Sequence, residues 1–106
     1  MDYNSFMFEL IQSETFRLWR TGLKDRQAVM RINARLSRVV DGNFGDVKPV
    51  GEGVSELRID FGPGYRVYFK KVGMVVVVLF GGGTKRTQDA DIKAAVALAN
   101  DWKDGS

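Results

Sequence analysis

The amino-acid sequence predicts an α+β fold: a small, mostly antiparallel sheet with two N-terminal helices packed on one face and a C-terminal helix. Three observations carry this. Between Phe16 and Val40 the apolar residues recur three and four positions apart, the period of a buried helix face. From residue 44 to residue 80 the pattern changes to alternation broken by glycine-rich turns, the period of strands. After Thr87 the helical period returns. Helices followed by a run of hairpin-connected strands give the order β-α-α-β-β-β-α, with one further short strand if residues 46–50 pair. The 106 residues fit one domain spanning 1–106. A chain of that size buries roughly two thirds of the surface it exposes when unfolded, enough for a core without cross-links.

The elements follow in order. Residues 3–11 (YNSFMFELI) are rich in aromatic and β-favouring side chains and read as a first strand. Ser13, Glu14 and Thr15 supply capping groups before Phe16, Trp19 and Leu23, whose spacing marks a short helix stopped near Gly22. Asp25 can cap a second helix, in which Val29, Ile32, Leu36 and Val39/Val40 form the apolar stripe and Gly42 suits a left-handed C-cap. At 100° per residue, Arg31, Arg35 and Arg38 fall within about 60° of one another and away from that stripe. They form a basic ridge on the solvent side, which serves solubility or a partner.

Asp46 to Val50 forms a short edge strand, because Pro49 cannot donate to a ladder. In Val54 to Phe61, Leu57, Ile59 and Phe61 alternate with Glu56, Arg58 and Asp60; after the Gly62-Pro63-Gly64 turn, Tyr65, Val67 and Phe69 alternate with Arg66, Tyr68 and Lys70. A three-residue loop makes the apolar faces agree, pairing Phe61 with Tyr65, Ile59 with Val67 and Leu57 with Phe69, and setting Arg58 opposite Tyr68 and Asp60 opposite Arg66. Met74 to Phe80 is an unbroken apolar run and reads as a central strand ended by Gly81-Gly82-Gly83. Thr87 caps the last helix, with Asp89 and Asp91 in its first turn and Ile92, Ala95, Val96, Ala99 and Trp102 on its buried face.

Two polar constellations result. Arg58, Arg66 and Tyr68, with Lys48 beside them, converge on the sheet face that the two N-terminal helices leave uncovered, and Glu56 and Asp60 share that face. Such a face is either a solvated surface with weak cross-strand ion pairs or a phosphate-binding one, since arginine offers two parallel donors and tyrosine can stack on a base. Gly81 to Gln88 (GGGTKRTQ) combines a glycine run, two cations and a helix start, which favours an anion or simply permits a tight turn. It lacks the P-loop spacing.

Composition narrows the chemistry. There is no cysteine and no histidine, which removes disulfides, thiolate sites and the commonest general base and transition-metal ligand. Carboxylates are scattered, so a magnesium-dependent nuclease is not expected; neither a metal nor a cofactor is. Residues 14–86 carry a net +7 while the first thirteen and last twenty each carry −2, so a polyanionic partner would be held by the middle of the chain. Nothing at the N-terminus reads as a signal peptide and no apolar run is long enough to span a bilayer, so the protein is expected in the cytoplasm, away from membranes.

The run GDVKPVGEGVSELRIDFGPGYRVYF (Gly45 to Phe69), the apolar strand after it, GGGTKRTQ and a helix containing Asp91-Ile92 resemble the RelE/ParE toxin superfamily, and most closely its HigB-like branch of addiction module killer proteins. The resemblance spans nearly the whole chain, including Phe16 to Trp19 and the arginine-rich helix ending in Asp41-Gly42-Asn43. It implies a RelE-like fold and the toxin of a type II toxin–antitoxin pair, inhibiting translation by ribosome-dependent, metal-independent cleavage of mRNA. The implied partners are a HigA-like helix-turn-helix antitoxin, the ribosome with its mRNA, and operator DNA only through the antitoxin complex. By position, Arg58 and Arg66 would clamp phosphate and stabilise the transition state, and Lys85 would bind phosphate or protonate the leaving oxygen. Lys48 would be a general base or second cation, and Tyr68 a stacking or acid–base group. The chain departs from the family's pattern at Thr84, commonly aspartate, and at Arg86, often serine. The resemblance also admits a non-catalytic toxin of the ParE branch, which binds and blocks DNA gyrase, or an inactive homologue that only regulates.

Overall fold

The computed structural model describes residues 7–102. Strand β1 (Glu9–Gln12) leads into helices α1 (Glu14–Thr21) and α2 (Arg26–Val40), followed by strands β2 (Val47–Gly51), β3 (Val54–Ile59), β4 (Tyr65–Val72) and β5 (Val76–Thr84), a 3-10 turn (Lys85–Thr87) and helix α3 (Gln88–Asp101). The predicted α+β fold is the one observed. The predicted first strand is shorter than expected, and its residues 3–6 lie outside the described region.

Local chemistry sets the helix ends. The Ser13 side chain accepts from the Phe16 N–H at 3.1 Å, and the Asp25 carboxylate accepts from the Gln27 and Ala28 N–H groups. Each satisfies donors that a helix start leaves without an intrahelical partner, worth about 1 kcal/mol per cap. In α2 the buried stripe is Ala28, Ile32, Leu36 and Val39, with Val29 only half-buried.

The sheet order is β1-β5-β4-β3-β2, with β1 parallel to β5 and all other neighbours antiparallel. Its two faces carry separate cores. Phe16, Ile32, Leu36 and Val39 pack on Leu57, Ile59, Val67, Phe69, Val77 and Leu79, whereas Ala95 and Ala99 of α3 pack on Val54, Tyr68, Val78 and Phe80. The alternation Val77, Val78, Leu79, Phe80 thus feeds both cores, which is why this strand reads as continuously apolar. The face that α1 and α2 leave free is therefore not open along its length. Helix α3 covers much of it.

Two expectations are corrected. The β3–β4 pairing sets Arg58 opposite Arg66 and Ile59 opposite Tyr65, so residues 60–64 form a five-residue loop in place of the expected three. A slip of two residues preserves which side chains share a face, so the apolar pattern cannot detect it. The loop is made by Gly62 at φ 57° and Gly64 at φ 82°, a backbone region costly for other residues, and is closed by the Gly64 N–H donating to the Phe61 carbonyl at 3.1 Å. The second correction concerns Gly81-Gly82-Gly83, which continue β5 and do not end it. A methyl group on Gly82 would overlap the Trp19 ring of α1, and one on Gly83 would overlap the Asp91 carboxylate of α3. These glycines let helices on both faces approach the same strand.

Candidate functional site

The β3–β4 loop, the end of β5 and the segment before β2 enclose a cleft of about 260 Å³ lined by Asp46, Arg58, Asp60, Gly64, Arg66 and Lys85. Three of the five residues singled out in the sequence meet here: Arg58, Arg66 and Lys85. The backbone of Lys85 is fixed to the loop by its N–H donating to the Gly64 carbonyl at 2.8 Å. The 3-10 turn that follows is held by the Thr87 hydroxyl, which accepts from the Thr84 N–H at 3.3 Å and donates to the Asp91 carboxylate. Thr84, where the resembling family commonly has aspartate, thus serves as a backbone anchor, while Arg86 is exposed on this turn.

Each arginine of the cleft has a carboxylate. Arg58 donates through Nε at 3.2 Å and Nη2 at 2.8 Å to the same Oδ1 of Asp46. This hydrogen bond holds the Asp46 carboxyl below its ordinary range and pushes Arg58 further up. Arg66 Nε lies 3.8 Å from Glu56 Oε1, too far for a hydrogen bond, and Nε has no hydrogen-bond partner among the described residues. Glu56 is fully buried, and Gln88 at the start of α3 donates to both its oxygens at 3.1 and 3.0 Å. A buried carboxylate is tolerated only where charge and donors meet it; here β4 supplies the charge and α3 the donors. The cleft is thereby tied to the C-terminal helix.

The other two residues stand apart. Lys48 pairs with Glu56 across β2 and β3 and is exposed on the edge strand, outside the cleft lining. Tyr68 is 0% exposed, packed under α3, and its hydroxyl has no hydrogen-bond partner among the described residues. Burial, then the Glu56 charge, raises its pKa far above the ordinary tyrosine value. In this arrangement its ring is closed to a stacking base, which corrects that part of the expectation; alternation put Tyr68 on the right face, but α3 covers it.

The basic ridge of α2 is corrected too. Arg35 is half-buried and donates to the carbonyls of Arg58, Phe44 and Asp46, stitching the segment before β2 to β3. Arg31 lies over the Phe61 ring at 4.4 Å. Among the residues the sequence did not single out, Asp46 is the closest partner of the cleft. The signal was present: pairing Lys48 with Glu56 places position 46 opposite Arg58.

Among the described residues no group of three or more Asp or Glu side chains could hold a metal ion, and no helix is long and apolar enough to cross a membrane.

No protein-family model matches the chain. An uncharacterized protein of Haemophilus influenzae is 53% identical over 87 residues, covering 82% of this chain and 88% of that protein. The chain belongs to that protein's family. Among solved structures, an arginine-to-alanine double mutant of Escherichia coli toxin RelE in the free state superposes with a TM-score of 0.66 at 15% identity, covering 88% of this chain and 97% of RelE. The fold of this chain is therefore RelE-like.

Proposed function

We propose that this chain is the toxin of a type II toxin–antitoxin pair, of the HigB-like branch, and that it inhibits translation by cutting mRNA on the ribosome without a metal. The observation that carries the reading is the convergence of Arg58, Arg66 and Lys85 in one cleft on a RelE-like fold. Three cations at one concavity suit a phosphodiester and the charge that grows on it during attack.

In this reading the ribose 2′-hydroxyl attacks the adjacent phosphorus, forming an O2′–P bond and breaking the P–O5′ bond. The products are a 2′,3′-cyclic phosphate and a 5′-hydroxyl. The 2′-hydroxyl proton passes to solvent water as the O2′–P bond forms, Arg58 and Arg66 bind the non-bridging oxygens as negative charge accumulates, and Lys85 gives a proton to the departing O5′ and is reprotonated from solvent. Alignment of the strand by the ribosome supplies much of the rate, as orientation does wherever strong bases are scarce. A phosphate entering the cleft competes with Asp46 for the Arg58 guanidinium. Lys48, on the strand edge, acts as an additional cation along the RNA path and not as the base. The partner is a HigA-like helix-turn-helix antitoxin, with operator DNA bound through the complex, and the site of action is the cytoplasm.

The test is induction in cells followed by mapping of mRNA ends. Cuts within translated codons and rapid loss of protein synthesis support the reading. Intact mRNA with altered DNA supercoiling would instead favour a gyrase-blocking toxin of the ParE type.

A further inference from the structure

A second concavity lies on the other side of Asp60. It has a volume of about 210 Å³ and is lined by Arg31, Ala34, Arg35, Arg38, Ile59 and Asp60, between α2 and the β3–β4 loop. Asp60 borders both clefts, so a chain leaving the first one across this rim enters the second. We propose that this α2 cleft is a second binding site for single-stranded RNA, holding nucleotides that flank the one in the Arg58–Arg66–Lys85 cleft; the proposal rests on the RNA-cleaving reading and extends it.

The charge distribution carries the inference. In the first cleft the cations face two carboxylates, Asp46 and Asp60, and Asp46 is engaged with Arg58. In the second, three arginines face Asp60 alone. Arg35 is committed to backbone carbonyls, whereas Arg31 and Arg38 are exposed and form no ion pair with any described residue. Uncompensated cations contribute most to polyanion binding, because each phosphate they neutralise releases a counterion.

The form of the site favours a single strand over a duplex. The Arg31 guanidinium, which lines the cleft of about 210 Å³, lies over the Phe61 ring and presents a planar cationic surface. Unstacked bases lie on such surfaces, while the bases of an A-form duplex are turned inward. Arg38, one helical turn from Arg35, is placed to meet a neighbouring phosphate.

The experiment is a salt titration of binding to a short labelled single-stranded RNA carrying 2′-O-methyl groups, which cannot be cut by 2′-hydroxyl attack. The Arg31→Gln/Arg38→Gln double variant replaces two exposed side chains, and its unchanged melting temperature confirms folding. Losing the Arg38 phosphate contact lowers the slope of log affinity against log salt by about 0.7, the value per contact for single strands, and losing the Arg31 stacking surface lowers the affinity at every salt concentration. An unchanged slope, no measurable RNA binding by the unsubstituted protein, or equal binding of a duplex with the same sequence overturns the proposal. RNA binding that depends on both arginines, in a protein that leaves mRNA uncut during translation, would retain this site and reject the nuclease reading.

Discussion

Arg58 and Arg66 stand directly opposite each other on adjacent antiparallel strands, and each holds its own carboxylate, Asp46 on the open side and Glu56 beneath α3. Like charges facing across a sheet repel. The two acids make the pairing tolerable, and they differ in kind: Asp46 is largely exposed, while Glu56 is sealed in by Gln88.

Replacing Asp46 tests the exposed half. Asp46→Asn frees the Arg58 guanidinium, so affinity for single-stranded RNA rises at neutral pH. The same variant changes the acid response. The folded-state pKa of Asp46 is depressed below its ordinary 3.8, chiefly by the Arg58 hydrogen bond. The unfolded chain therefore binds the proton first as pH falls, and the stabilisation, complete above the ordinary value, is lost as pH drops through the folded one. Thermal melts between pH 6 and pH 2 should show a smaller acid loss for Asp46→Asn than for the unsubstituted protein, and equal losses would remove the Arg58 contact from the account.

Gly81 and Gly82 should respond differently to alanine. A Cβ on Gly81 finds Thr15 Cγ2 at 3.9 Å, ordinary contact, whereas one on Gly82 overlaps the Trp19 ring. Urea unfolding is expected to leave Gly81→Ala within about 0.5 kcal/mol of the original and to cost Gly82→Ala about 1–3 kcal/mol by overpacking. Similar costs at both positions would show that the glycines serve a backbone conformation and not the approach of α1.

Tyr68→Phe removes a buried hydroxyl that has no partner among the described residues. Deleting an unsatisfied polar group of this kind leaves stability unchanged or raises it by about 1 kcal/mol. Cleavage should persist in Tyr68→Phe. A folded variant that has lost cleavage would return the hydroxyl to the chemistry.

The caps at Ser13 and Asp25, the edge strand with Pro49 and the α3 stripe were legible because each rests on residues close together in sequence. That Arg58 and Arg66 share a face followed from alternation, whereas Lys85 read as part of a separate constellation and joins them only through the tertiary contact of its N–H with the Gly64 carbonyl. What escaped is tertiary. Three consecutive glycines read as a stop until Trp19 and Asp91 are seen against them. Tyr68 sits on the polar side of an alternating strand, and only the path of α3 shows that side to be core. Arg35 lies in an exposed-looking ridge, and only the Phe44 and Arg58 carbonyls explain its half-burial.

The central claim is that the cations of the cleft perform RNA cleavage, and Arg66→Lys tests it most directly. Lysine keeps the charge beside buried Glu56, so the fold is retained, but it loses the planar fork that grips two phosphate oxygens. Cleavage of a defined mRNA in a reconstituted translation system, read by primer extension, should fall by about 100-fold or more, the scale of losing one strong transition-state donor. Cleavage at the original rate by a folded Arg66→Lys protein, or no cleavage by the unsubstituted protein, would contradict the account.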